Sequence, residues 1–298
     1  MRKFLLTVLA AAVAFAVGNY LGERKLAAKK DLHLKFVEAV ENGQTSAVNQ
    51  LFGQNPDLGK GMAGQQFDSQ LLTAAKMGYG DIIKALIFHG ANPNAVIKGT
   101  VTDISDKTPL IEAASNGQGT AVDILLENGA DPNLLGFCRQ SALMVAAGSG
   151  QTKIMETLIK KGARSDIRDC GNGSALEHSV STGSLSAVKL LLANDANKDK
   201  HEIEYLLMRA IEHNDLGITN ALLDQVPDIN VEVKMDADLG SWTPLAWAAK
   251  SGFADIVKTL IAHGADPAKK DKNGKTAVKH TKSTQIIRLL NAAKAGRK

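Results

Sequence analysis

Between residues 108 and 133 the chain reads TPLIEAASNGQGTAVDILLENGADPN, and its apolar positions come in two groups. Leu110, Ala113 and Ala114 fall at the spacing of one helical face, and Val122, Leu125 and Leu126 repeat that spacing further on. The pattern predicts two short amphipathic helices with sharp stops. Thr108 is placed to cap the first, and Pro109 takes the first helical position, where its missing N–H costs nothing. Gly117 ends this helix. The second runs from about Gly119 to Asn128, and Gly129 follows it as the residue that takes a left-handed turn without steric cost. Asp131-Pro132-Asn133 then turns the chain.

Two helices of about ten residues each cannot bury enough apolar surface to stand alone. Copies are present. Ser141-Ala142-Leu143 lies 33 residues after Thr108-Pro109-Leu110, and Ser174-Ala175-Leu176 lies 33 further on. Thr243-Pro244-Leu245 recurs later, with Thr276-Ala277-Val278 another 33 residues beyond. Gly-Ala-(Asp/Asn)-Pro stands at Gly90, Gly129 and Gly264, with a decayed copy at Gly162-Ala163-Arg164. A 33-residue period of helix, turn, helix and extended turn resembles the ankyrin repeat family, whose signature includes T-P-L-H-x-A. At the family's His position stand Ile111, Met144, Glu177 and Ala246. The resemblance covers roughly residues 32–293 and implies an all-α ankyrin-repeat solenoid of helix-turn-helix units with short β-like hairpin turns.

The same pattern divides the rest of the chain. Phe36, Val37, Ala39 and Val40, then Ala47, Val48 and Leu51, make a first repeat with a degenerate turn at Asn55-Pro56-Asp57. Leu71, Leu72, Ala74 and Ala75, then Ile82, Ile83, Leu86 and Ile87, make the second. Thr108 follows Ser69 by 39 residues, so about six residues are inserted in the turn 94–107. The sixth repeat departs from the period. Tyr205, Leu206, Leu207 and Ala210 carry its first helix, and a second long turn, 230–241, follows it. The organisation expected is a membrane anchor or signal peptide over 1–22, a charged tether over 23–31, a solenoid over 32–293 of about seven repeats plus a C-terminal cap, and a basic tail over 294–298.

The N-terminal span admits two readings. Residues 4–17 carry no charge and follow Arg2 and Lys3. Ala14-Phe15-Ala16 has the small-x-small form of a signal cleavage site, which would leave a periplasmic or secreted chain after cleavage at Ala16. The nineteen residues from Phe4 to Gly22 are also just long enough to cross a bilayer as a single-pass anchor. Arg24, Lys25, Lys29 and Lys30 behind the span favour the anchor, because positive charge there resists translocation.

Composition narrows the function classes. With 44% apolar residues and only 4% aromatic, the chain suits thin stacked layers better than one large core. Residues 1–30 carry a net +5 and residues 268–298 a net +9, which leaves the body, 31–267, ten charges negative against the whole-chain +4. No phosphate-binding Gly-rich loop, Gly-x-Ser-x-Gly elbow or His-Glu-x-x-His stands in the sequence, so an enzyme, a cofactor site and a metal site are not expected. His89 and His263 each precede a helix-ending Gly, where an imidazole favours the negative end of the helix dipole. The lysines from Lys269 to Lys282 have no interleaved aromatics, so they read as a solvated cap rather than a nucleic-acid surface. Cys138 and Cys170 lie 32 residues apart in successive turns. Helical layers about 8–10 Å apart argue against a bridge that needs Cα atoms within about 7 Å.

The resemblance implies protein binding by a monomer, on the concave face formed by turn tips and first helices. Matching the family's variable positions gives Lys107, Ser115, Asn116, Phe137, Arg139, Gln140, Ser149, Asn172, Ser181, Thr182, Trp242 and Lys250 as candidate contacts. Trp242 at a turn tip reads either as a binding anchor or as a ring folded over its own long loop, while Trp247 is expected between layers. A second reading is an accessory or enzymatic protein with a cation or substrate site in the long turns. Asp103, Asp106, Glu232, Asp236 and Asp238 would supply oxygen ligands to an ion such as calcium.

Overall fold

The computed structural model describes residues 27–55, 58, 67–98, 106–194, 199–234, 240–272 and 274–296. A helix over 27–41 (α1) is followed by α2 (Thr45–Gln54), α3 (Asp68–Met77), α4 (Gly80–Phe88), α5 (Pro109–Ser115) and α6 (Gly119–Glu127). Next come α7 (Ala142–Gly148), α8 (Thr152–Lys160), α9 (Ala175–Ser181), α10 (Leu185–Ala193), α11 (Lys200–Glu212) and α12 (Leu216–Leu223). A two-stranded ribbon, β1 (Val233–Lys234) and β2 (Ser241–Trp242), leads to α13 (Pro244–Ser251), α14 (Ala254–Ala262) and α15 (Thr284–Ala295).

The helices stack in two rows. α3, α5, α7, α9, α11 and α13 each pack on the next as an inner row, and α2, α4, α6, α8, α10, α12, α14 and α15 as an outer one. The sequence explains both the starts and the stops. The hydroxyls of Thr108, Ser141, Ser174 and Thr243 accept hydrogen bonds from the amides of Ile111, Met144, Glu177 and Ala246 at 3.2, 3.3, 3.0 and 3.2 Å. Each satisfies an amide that has no partner within its helix, a cap worth about 1 kcal/mol. The turn after the inner helix needs a left-handed residue. Gly43, Gly78, Gly117, Gly150, Gly183 and Gly252 supply it in six repeats, and Asn214 (φ 55°) in the sixth repeat of the chain.

Packing follows from residue size. Ala113 and Ala114, Ala146 and Ala147, and Ala248 and Ala249 are fully buried on the inner row, which lets adjacent helices approach closely. Leu125, Met155, Leu158 and Leu191 fill the space behind them on the outer row. Phe36, Phe52 and Phe67 close the N-terminal end, with ring centroids 5.1 to 5.4 Å apart. Side-chain clamps add register between layers. Asn94 Oδ1 accepts from the Asp131 amide (2.7 Å) while its Nδ2 donates to Gly129 O (2.8 Å). Asn133 repeats this on Arg164 (2.7 Å) and Gly162 (3.0 Å), and Asn230 Oδ1 accepts from Asp266 (2.7 Å).

The rhythm breaks in two places. Repeat six lacks the Thr-Pro-Leu opening, so α11 starts early, capped by Asp199, and runs 13 residues against 7 in α9. In the last unit the inner helix shrinks to a single 3-10 turn, Ala277–His280, before α15.

Two expectations need correction. The single-pass membrane localisation is overturned as a reading of the fold, because among the described residues no helix is long and apolar enough to cross a membrane. Residues 1–22 themselves lie outside the described residues. Cys138 and Cys170 form a disulfide with Cα atoms 5.1 Å apart. Helix-axis spacing was the wrong ruler, because the bridge joins two turn tips rather than two helices. The Cys170 amide donates to Cys138 O at 2.9 Å, so the tips approach as sheet neighbours do.

Candidate functional site

The inner helices and the turns before them form one face. Lys107, Gln140 and Trp242 are half-buried on it, and the other nine candidate contacts are exposed. Phe137, Arg139 and Gln140 lie on one tip, and the disulfide joins that tip to the one carrying Asn172. Phe137 is 43% exposed, large for an aromatic ring. Ser115, Asn116, Ser149, Ser181 and Thr182 stand at the far ends of α5, α7 and α9, about 10 Å from the tips by helix length, so the set forms two rows rather than one cluster.

Trp242 and Lys250 come together further along. Trp242 pairs in the ribbon with Val233. Its ring packs 5.5 Å from Trp247 and edge-on to His280 at 4.9 Å. Lys250 Nζ sits 4.3 Å from the Trp242 ring centroid and 4.8 Å from that of Trp247, within cation–π range of both. Trp247 is buried as expected, and among the described residues its indole N–H has no hydrogen-bond partner.

Sequence reasoning missed the most built part of this face. Because α11 starts early, its first turn stands beside the tip of repeat five and encloses a cleft of about 450 Å³. Arg168, Asn172, Glu177, Asp199, Glu202 and Tyr205 line it. Glu202 is engaged on both oxygens, accepting from the Arg168 guanidinium and from the Ser174 hydroxyl. That pairing raises the Arg168 pKa further above its ordinary value.

Glu177 is different. It stands at the family's His position, and among the described residues its carboxylate has no hydrogen-bond or ion-pair partner. Burial pushes its pKa up, and the nearby Glu202 charge pushes it further. Asp169, beside it, is held below the usual range although burial alone would raise it. The amides of Gly173 (2.8 Å) and Gly171 (2.9 Å) and the ring of His178 (2.9 Å) outweigh that effect.

A signal for part of this was visible. Asp169 precedes His178 by nine residues, and Asp271 precedes His280 by nine, each pair spanning one turn. Only the structure shows the rings turned back onto the carboxylates.

The cation reading is not assembled among the described residues. Asp103, Asp236 and Asp238 lie outside them, Asp106 is paired with Lys98 at 2.7 Å, and no group of three or more His, Cys, Asp or Glu side chains converges. His263 Nδ1 lies 2.9 Å from Thr259 O, and the His89 ring stacks on Phe52 at 3.8 Å, so both serve the scaffold.

Two rows of short helices joined by projecting turns define a helical repeat solenoid. The chain belongs to the ankyrin repeat family, whose model, ankyrin repeats in three copies, matches residues 36–135, 135–202 and 206–295. Among solved structures it is similar to the human ASB11 ankyrin repeat domain, with a TM-score of 0.58 and 25% identity over 75% of this chain and 96% of that one. It is also similar to the ankyrin repeat domain of Bcl-3, a member of the IkappaB protein family, with a TM-score of 0.60 and 23% identity over 74% of this chain and 97% of that one. The Bcl-3 likeness shows the fold alone. Among curated proteins, 2-5A-dependent ribonuclease from Homo sapiens is 36% identical over 75 residues, 25% of this chain and 10% of that protein. Zygote-specific protein 3 from Chlamydomonas reinhardtii is 42% identical over 71 residues, 24% of this chain and 18% of that protein. The aligned part is less than a fifth of either relative's length.

Proposed function

We propose that this chain is a non-enzymatic scaffold that binds a protein partner along the inner-helix face, with its strongest contact in the cleft between repeats five and six. One observation carries the reading. Glu177 is half-buried among other carboxylates and makes no pair of its own, while the cleft's arginine is already engaged by Glu202. A half-desolvated carboxylate with no partner is costly in the free protein and gains most when a cation arrives. The partner chemistry that fits is a basic segment placing a lysine or arginine side chain in the cleft, drawn in by the negative body of the solenoid. Phe137, Arg139 and Asn172 flank this point on the stapled tips, and Trp242 with Lys250 offers a second contact further along.

The test uses a partner captured with the full-length chain and then purified. Glu177→Gln should weaken binding by about tenfold, the scale of losing one charged contact. Thr120→Ala, exposed on α6 away from the cleft, serves as the control. Equal affinity for Glu177→Gln and Thr120→Ala would reject the cleft as the contact.

A further inference from the structure

The Cys138–Cys170 bridge sits inside the face assigned to partner binding. Phe137, Arg139 and Gln140 adjoin Cys138, while Arg168 and Asn172 lie within two residues of Cys170. The backbone of the repeat-four tip is unusual. Cys138 (φ 54°) and Arg139 (φ 61°) are both left-handed, and neither is a glycine or asparagine. At the position of Arg139 the next repeat has Asn172 (φ 67°) and the last unit has Gly274 (φ 71°), residue types that tolerate this region. The repeat-four tip therefore holds a conformation that its own residues disfavour, and the surroundings must impose it.

The bridge is what ties this tip to its neighbour covalently. Around it the Cys170 amide donates to Cys138 O at 2.9 Å and Arg139 Nε donates to Arg168 O at 3.3 Å. Arg168 in turn holds Glu202 in the wall of the cleft. The staple thus orders both the aromatic tip and the arginine that shapes the site. The layers beneath have a core of their own, since Leu143 and Leu176 are fully buried where neighbouring inner helices pack. Cys170 is exposed, so a thiol in solution can reach it.

We propose that the Cys138–Cys170 bridge is a thiol-exchange site that switches the binding face between an ordered and a loosened form, a control that rests on the concave-face reading above. The reductant is a dithiol. One of its thiolates attacks the exposed Cys170 sulfur, the S–S bond breaks, and Cys138 leaves as a thiolate that takes up a proton. The second thiol then attacks the mixed disulfide and releases Cys170, so the dithiol ends as a disulfide and the protein as two thiols. Without the staple, Cys138 and Arg139 relax from the left-handed region, Phe137 is no longer presented, and Arg168 loses its anchor.

Amide hydrogen exchange on the full-length chain tests this with no partner present. Reduction with dithiothreitol should speed exchange at residues 137–140 and at the Cys170 amide by about tenfold or more, while α7 and α9 stay unchanged, the signature of local opening. Arg139→Gly accommodates the left-handed turn, so in this variant the acceleration should fall to about threefold or less. With the purified partner, reduction should lower wild-type affinity about tenfold, and less in Arg139→Gly. Unchanged exchange at 137–140 on reduction would overturn the proposal. So would equal acceleration throughout α7 and α9, which would make the bridge a staple of the whole stack. Failure of the Glu177→Gln test together with accelerated tip exchange would reject the cleft reading and keep the exchange site.

Discussion

Nε2 of His280 lies 2.8 Å from Oδ2 of Asp271, nine residues earlier, with both side chains almost fully buried. The same carboxylate accepts the Lys275 amide at 2.9 Å through its other oxygen, so one residue closes the last turn and fixes the final inner helical turn against it. His178 and Asp169 repeat the relationship 102 residues upstream at 2.9 Å. In both repeats the His is one place later than in the family signature, and the ring turns back to its own turn.

Asp271→Ala should therefore loosen the C-terminal end of the stack. The Lys275 amide and the His280 ring would lose their acceptor in a buried setting, which costs about 1–3 kcal/mol. The expected outcome is a lowered midpoint in urea, with faster amide exchange confined to residues 271–280 and α15. Exchange that rises equally in α5 and α7 would mean that the cap is not a separate unit.

Glu177 makes a pH prediction of definite sign. Its pKa is raised on folding, by burial and then by Glu202, so the folded state holds this proton more tightly than the unfolded chain does. Stability from this group is present below the ordinary Glu value and is lost as pH rises through the raised one. At pH 7 Glu177→Gln should stabilise the fold by about 0.5 kcal/mol, a figure discounted for partial solvent screening. The gain should vanish near pH 4, where the unfolded carboxylate is also protonated. Thermal melts of both proteins from pH 4 to 8 check it. Destabilisation at pH 7 would show that Glu177 is already neutralised within the chain.

Leu143 is fully buried at the start of α7, between α5 and α9. Leu143→Ala should cost about 2–5 kcal/mol, the range for a leucine that leaves a cavity in a packed core. Denaturant unfolding followed by circular dichroism measures it. A loss under about 0.5 kcal/mol, typical of a surface change, would contradict the placement of Leu143 in the inter-layer core.

Trp242 tests two roles at once. Its ring packs on Trp247 and His280 beneath Lys250, so Trp242→Ala should lower stability by about 1–3 kcal/mol through lost aromatic and cation–π contacts. If the ring is also a contact for the partner, affinity should fall by a further ~1 kcal/mol when measured well below the melting temperature. Lost stability with full affinity would make Trp242 a purely structural residue.

The sequence determined the repeat unit by itself. Thr108, Ser141, Ser174 and Thr243 as caps, the helix-ending glycines and the burial of Leu110 and Leu143 are local or periodic features, and a residue's neighbours within one turn of helix suffice to specify them. The clamps that Asn94, Asn133 and Asn230 place on the next layer were not legible in that pattern. What only the tertiary structure decided lies between layers. Cys138 meets Cys170 because two turn tips pair edge to edge through the Cys170 amide and Cys138 O. Glu177 becomes half-buried and unpaired because α11 starts early and brings Glu202 alongside. Trp242 is half-buried because the last unit folds back and brings His280 against its ring. Each of these contacts joins residues about 25 to 40 positions apart, and at that separation the side chain's environment is set by how one layer docks on the next.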